Sequence, residues 1–220
     1  MNFIELIQRV QKIINDDSQL SSIKGEDIGA MLNQAMIEIS GGLHSNLGSW
    51  ITPPLPELFT IDTIITDVDY PYVDMPDNFQ RNLQFVANSN GIEVSLADSF
   101  ISFVEVYPLL NKVGRISDCL EFGKKFYYQK IPTTPEVITL HYYRKPIDME
   151  DPEDVPDGLP EQFHDSLLVT YVCWKILDLI KDLPLDSLEK LIAPFKERFY
   201  TNLSLLELSI PYENRNLRLM

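Results

Sequence analysis

The segment of residues 161–181 constrains the fold most, because its apolar residues cover more than one face of a helix. A helix on the surface of a globular protein shows a single apolar stripe. Here apolar side chains recur on several faces between Leu167 and Ile180. Such a helix either forms the centre of a bundle or turns a second face to another subunit. We take Phe163, Tyr171 and Trp174 as candidate subunit-interface residues.

Apolar residues at helical spacing also occur near both ends of the chain. The spacing predicts one helix over residues 3–14 and a second from about Glu26 to Gly41. A further helix is expected after Ser187, its predicted N-cap, and carries apolar residues as far as Leu206. Pro194 falls inside that helix and is expected to kink it or mark a restart.

The middle of the chain has the short apolar runs of strands, bounded by Pro, Gly, Asn and Asp. A proline-rich connection at residues 51–58 precedes them. The predicted strands are residues 59–66, 72–75, 83–87, 100–104, 125–129 and 137–143.

These patterns predict an α+β fold in which the N- and C-terminal helices form a helical bundle with an inserted β-rich module. The predicted segments are the N-terminal helices of the bundle (1–48), the inserted module (49–147), an acidic linker (148–160), the C-terminal helices (161–210) and a C-terminal tail (211–220).

Composition limits the classes of partner. The 33 acidic residues outnumber the 18 basic ones, giving a net charge of −15, which opposes a surface that binds phosphates. No specific nucleic-acid binding is expected, although an acidic wall would let DNA slide past. The sequence has no run of ~20 apolar residues and no apolar leader. We therefore expect a soluble protein of cytoplasmic origin that makes no membrane contact.

The sequence lacks the common catalytic motifs for phosphate, dinucleotide, zinc or serine chemistry. His164 and Asp165 are adjacent, and neighbours on a helix point in different directions, so they are not predicted to act as a base and its orienting acid. His44 and His141 lie elsewhere in the sequence. A hydrolase or metal-dependent enzyme that joins His164 or His141 to acidic residues stays open as an alternative.

Neither the acidic clusters nor the cysteines predict a metal site, and no cofactor is expected. Residues 67–77 hold four aspartates, but their spacing does not fit a calcium loop, and turns are expected there instead. The six carboxylates of residues 148–157 indicate a solvated segment. Cys119 and Cys173 are expected to be reduced, partly buried thiols.

Four stretches in order, YVDMPDNFQRN, VYPLLNKVGRISDCLEFGKKFYYQKIP, ITLHYYRKPIDM and DVPDGLPEQFHDSLLVTYVCWKI, resemble the head-to-tail adaptor (connector, or head-completion) proteins of tailed bacteriophages. The resemblance extends from about Tyr72 to Ile180. It is most specific at the Tyr-Tyr-Arg-Lys-Pro strand end and at Asp-Gly-Leu-Pro-Glu before the helix.

The resemblance implies a structural virion protein of the neck, made in the host cytoplasm and without enzymatic activity. Such adaptors form a ring, usually of twelve copies, under the portal protein, and they provide the platform for the tail or its stopper protein while DNA passes through the lumen. The resemblance also assigns portal binding to the C-terminal tail. The candidate residues there are Pro211, Tyr212, Arg215, Leu217, Arg218, Leu219 and Met220.

A monomeric interaction module is the other alternative. It predicts that the chain itself covers the whole helix of residues 161–181, whereas the adaptor predicts association with copies or with a portal.

Overall fold

A computed structural model describes residues 1–15, 24–43, 54–179 and 185–210. The chain divides into two compact units. The helical unit consists of Met1–Leu58 and Lys145–Met220, and the strand unit is the uninterrupted stretch Phe59–Arg144.

The described part of the helical unit contains four α-helices. Amphipathic spacing buries Leu6 and Val10 of the first helix and Leu32 and Ile39 of the second. The helices are α1 (Phe3–Asn15), α2 (Gly25–Gly41), α4 (Thr170–Asp178) and α5 (Leu185–Ser209).

The segment before α4 is more irregular than the single helix predicted for residues 161–181. A 3₁₀ turn, Glu161–Phe163, leads into a π-helical stretch, His164–Val169, and only then into α4. The chain's own core buries this segment from Leu167 to Cys173.

Of the two outcomes predicted at Pro194, a kink or a restart, the restart does not occur, and the predicted cap at Ser187 is wrong because the helix begins before it. Helix α5 begins at Leu185 and continues through Pro194 without a break. Pro194 is exposed, while Ile192 and Phe199 on either side of it are buried. Apolar packing therefore holds the helix together where the proline cannot donate a hydrogen bond.

The acidic segment, residues 148–157, is attached to the helical unit at several points. The backbone carbonyls of Asp154 and Pro152 accept from the first amides of α1, Phe3 (2.7 Å) and Ile4 (3.1 Å). Asp154 Oδ2 accepts from the amides of Glu150 and Asp151, both at 2.8 Å. The acidic segment, which lies within the predicted linker of residues 148–160, is thus hydrogen-bonded to this unit.

The strand unit contains two sheets and one short helix. One sheet has the order β1-β7-β3 and is antiparallel, and the other has the order β2-β6-β5-β4, with β4 parallel to β5. The elements are β1 (Phe59–Ile65), β2 (Tyr72–Asp74), β3 (Phe79–Asn88), β4 (Ser95–Leu96), α3 (Phe100–Val106), β5 (Asp118–Phe122), β6 (Lys125–Tyr128) and β7 (Val137–Arg144).

One apolar core joins strands of both sheets, and Tyr128 is its central polar group. The Tyr128 ring is fully buried. Its hydroxyl donates to the carbonyl of Tyr70 (2.7 Å) and accepts from the amide of Asp67 (2.9 Å). Burial raises the pKa of Tyr128 to about 12, so this phenol stays protonated and continues to donate.

The strand predicted at residues 100–104 is wrong, because this stretch is helix α3. Ser99 caps the helix with its hydroxyl, which accepts from the amide of Ser102 at 3.1 Å. Phe103 points into the core.

Candidate interaction surfaces

His164 and Asp165 are directed to different partners. His164 is buried, and its Nε2–H donates to the carbonyl of Leu159 at 2.8 Å. Burial lowers the pKa of His164, which favours the neutral ring. Asp165 instead forms salt bridges with Arg9 Nε (3.0 Å) and Arg198 Nη2 (2.7 Å). Asp165 therefore connects α1 and α5 to the π-helical stretch.

The other candidate ligands are also held in structural contacts. His141 on β7 meets the rings of Phe59 and Phe85 edge to face, at centroid distances of 5.9 and 5.1 Å. His44 lies outside the described residues. Within the described ranges, no group of three or more His, Cys, Asp and Glu side chains could hold a metal ion.

Of the four aspartates of residues 67–77, Asp67 forms turn contacts, whereas Asp74 lies on β2 and forms a salt bridge with Lys125 Nζ at 3.0 Å. Asp67 Oδ1 accepts from the amides of Asp69 (2.7 Å) and Tyr70 (3.2 Å). The thiols of Cys119 and Cys173 are buried, and burial raises the pKa of Cys173 to about 12. Cys173 is therefore a poor nucleophile near neutral pH.

Aromatic and basic side chains of α4 contact aromatic and basic side chains of α5. Both helices carry the same spacing of i, i+3 and i+4, which places the three side chains of each helix on one face. We call this group the Trp174 cluster, and it consists of Tyr171, Trp174 and Lys175 on α4 with Lys196, Phe199 and Tyr200 on α5. Sequence reasoning identified Tyr171 and Trp174 but missed the matching triplet on α5.

Trp174 is the centre of the cluster. Its ring lies 6.0 Å from the Phe199 ring and 6.1 Å from the Tyr200 ring, centroid to centroid. Lys175 Nζ and Lys196 Nζ lie 5.1 and 5.0 Å from the Trp174 centroid. Both distances are within the range of a cation–π interaction.

The three candidate subunit-interface residues differ in exposure. Phe163 and Tyr171 are only 6% and 3% exposed, and the Tyr171 hydroxyl donates to Glu38 Oε2. Trp174 is half-buried. The chain's own packing thus covers most of residues 161–179, but not the whole helix that the monomeric alternative expects to be covered, since Leu179 is 62% exposed. The interface assignment stays a prediction, and Trp174 is its accessible member.

An apolar surface lies on the three-stranded sheet. Alternation along β1 exposes Phe59, Ile61 and Ile65 by 41%, 59% and 66%. Val137 pairs with Ile65 and is also exposed. We call these four residues the apolar sheet face. Strand β1 pairs with β7 on one side, and among the described residues no strand pairs with its other edge. Exposed apolar groups beside an open edge are typical of a protein contact.

The seven candidate portal-binding residues between Pro211 and Met220 lie outside the described residues. In the part of the chain that the structure describes, no helix combines the length and apolarity needed to cross a membrane.

Comparison with known families identifies the chain. The family model described as SU10 adaptor protein matches residues 1–215, which confirms the resemblance to phage head-to-tail adaptors. No curated protein matches the chain significantly. Since the family match extends over nearly all of the 220 residues, the chain belongs to the SU10 adaptor protein family, a family of phage head-tail adaptors.

Proposed function

We propose that this virion protein forms a ring of twelve copies under the portal vertex of the packaged head. The ring closes the head and provides the attachment platform for the tail or a stopper protein, and DNA passes through its lumen. The family match over residues 1–215 is the observation that carries this proposal. A phage adaptor interacts with other head and tail proteins and has a structural role.

The apolar sheet face is the surface that we assign to the contact between neighbouring copies. Phe59, Ile61 and Ile65 line one face of β1 and leave a large apolar area in water. Burying apolar surface contributes roughly 25 cal/mol per Å². In a ring every copy offers the same surface to its neighbour, so a modest contact is repeated around the axis.

The chain's architecture and charge support the remaining parts of the proposal. The division into a helical unit from both ends of the chain and a continuous strand unit supports an α+β fold with an inserted β-rich module. A net charge of −15 is compatible with a lumen wall that repels DNA. Arg215 and Arg218 give the tail a local basic character, and the tail would engage the portal.

The test is the native mass of the chain with and without purified portal particles, measured by sedimentation velocity. We expect wild type to form a ring with portal. Ile61→Lys should prevent assembly because it would place an ammonium group in the apolar contact. Ile101→Lys is the control, since Ile101 is also exposed in the strand unit but lies on α3. A wild-type chain that stays monomeric with portal would overturn the ring.

Deleting residues 211–220 tests the tail separately. We expect portal binding to be lost, while the circular dichroism spectrum stays that of wild type. Unchanged binding to portal would remove the tail from the proposal.

A further inference from the structure

The Trp174 cluster holds two ammonium groups that have no carboxylate partner within the described residues. Lys175 Nζ lies 5.0 Å from the Tyr171 centroid, and Lys196 Nζ lies 5.0 Å from the Trp174 centroid. Neither lysine occurs in a salt bridge of the described ranges.

The chain's own packing does not explain why residue 174 is tryptophan. Its Nε1 is buried and has no hydrogen-bond acceptor among the described residues, which is unfavourable for a polar group. Phenylalanine would give an aromatic contact with Phe199 and Tyr200 without that donor. What tryptophan adds is the strongest aromatic face for a cation. Both ammonium groups of the cluster lie within cation–π range of the Trp174 ring.

The same unit carries the complementary charge on the acidic segment. Asp148, Glu150 and Asp151 are exposed, and none has a salt bridge within the described residues. The segment is held in place by the Asp154 cap and by hydrogen bonds to α1 and α2. Its carboxylates are thus presented by an ordered backbone, which lowers the entropy cost of binding.

We propose that the Trp174 cluster of one copy binds the acidic segment of the next copy. This inference rests on the proposed ring. Within one copy, the described residues leave both groups without an opposite charge. In a head-to-tail contact, one copy supplies the cations and its neighbour the carboxylates. The charge pair would fix the register of the neighbours, while the apolar sheet face contributes affinity.

Charge swapping tests this contact. The first variant is Lys175→Glu with Lys196→Glu, and the second is Asp148→Lys with Asp151→Lys. We expect each to lower the fraction of chain in rings at least tenfold, because like charges would then face each other. A chain with all four substitutions should regain assembly, as should an equal mixture of the two variants, in which every copy finds an opposite charge.

The matched control for the first variant is Lys12→Glu with Lys190→Glu, which makes the same change in net charge at two exposed sites of the same unit. It should assemble like wild type. Circular dichroism and the urea midpoint of each variant establish that the chain is folded.

The outcomes separate this contact from the ring itself. Rings formed equally by all variants would overturn the contact and leave the ring intact. If wild type forms no ring with portal while the two variants still bind each other, the ring fails and the contact stands. If the Lys175 and Lys196 substitutions abolish retention of duplex DNA in a gel shift but leave assembly unchanged, the cluster binds phosphates and the proposal is wrong.

Discussion

Asn33 exchanges two hydrogen bonds with the backbone of Met149, which lies 116 residues further along the chain. Its Oδ1 accepts from the Met149 amide at 3.0 Å, and its Nδ2 donates to the Met149 carbonyl at 3.1 Å. The Asn33 side-chain amide thus pairs with the backbone N–H and C=O of Met149 in the way that a neighbouring β-strand would. Since Met149 is buried, this contact satisfies backbone groups that water cannot reach.

We expect Asn33→Ala to lower the free energy of unfolding by about 1–3 kcal/mol, because it leaves a buried amide and carbonyl unpaired. Urea denaturation followed by circular dichroism measures the loss. The control is Gln34→Ala on the same helix, which removes only an exposed hydrogen bond to Glu38 and should cost less than about 0.5 kcal/mol. Equal losses for the two variants would contradict this account.

Gly158 cannot be replaced without strain. Its φ is +78°, and a Cβ there would lie 2.6 Å from Leu58 Cδ2 and 2.7 Å from Leu58 Cγ. Gly91 has a similar φ of +72°, but nothing lies within 4 Å of its Cβ position. Gly91→Ala should therefore lower the free energy of unfolding only by the cost of a positive φ for alanine, about 1–2 kcal/mol. Gly158→Ala should cost about 1–3 kcal/mol more, because of the added overlap. Urea midpoints compare them, and similar losses would refute the clash.

His164 should make the stability of the protein sensitive to acid. Burial lowers its pKa in the folded state below the ordinary value of 6.5, so the unfolded chain binds a proton first as the pH falls. The contribution of neutral His164 to the free energy of unfolding is then fully present above pH 6.5. It decreases as the pH drops from 6.5 towards the folded pKa, by at most about 1.4 kcal/mol per pH unit.

His164→Gln is the variant that tests this effect, because glutamine has an N–H to offer the Leu159 carbonyl but does not titrate. Urea unfolding at pH 7.5 and 5.0 should show a smaller loss for this variant than for wild type. The carboxylates titrate in both chains, so their contribution cancels in the comparison. Parallel pH profiles would mean that His164 does not gain a proton on unfolding.

Regular elements could be predicted from the sequence where local spacing and packing agree. Helix α1 occupies residues 3–15 against a predicted 3–14, and β1 and β7 lie within one residue of their predicted bounds. Phe100–Val106 was mispredicted because its aromatic and β-branched residues favour a strand by composition, whereas the Ser99 cap and the burial of Phe103 select a helix. Strand β3 begins at Phe79, whereas the predicted strand began at residue 83. A register shift near Asn82, whose φ is 55°, lies inside the observed strand.

Contacts between distant residues could not be read from the sequence. The pairing of Asn33 with Met149, and the salt bridges of Asp165 with Arg9 and Arg198, depend on how helices pack. The two candidate surfaces could be predicted from the sequence only in part. Residues 171, 174 and 175 and residues 196, 199 and 200 show matching spacing in the sequence, but only the structure places the two triplets together. The alternation of β1 was visible, whereas which of its faces stays exposed was not.

The discontinuous helical unit has a consequence for protein synthesis. Helices α1 and α2 emerge from the ribosome before the strand unit, and α5, which begins at Leu185, follows the end of α2 at Gly41 roughly 7–30 s later at about 5–20 residues per second. The Trp174 cluster needs both α4 and α5. A nascent chain therefore lacks this surface until α5 has left the ribosome, and nascent chains on one messenger cannot associate through it before that point.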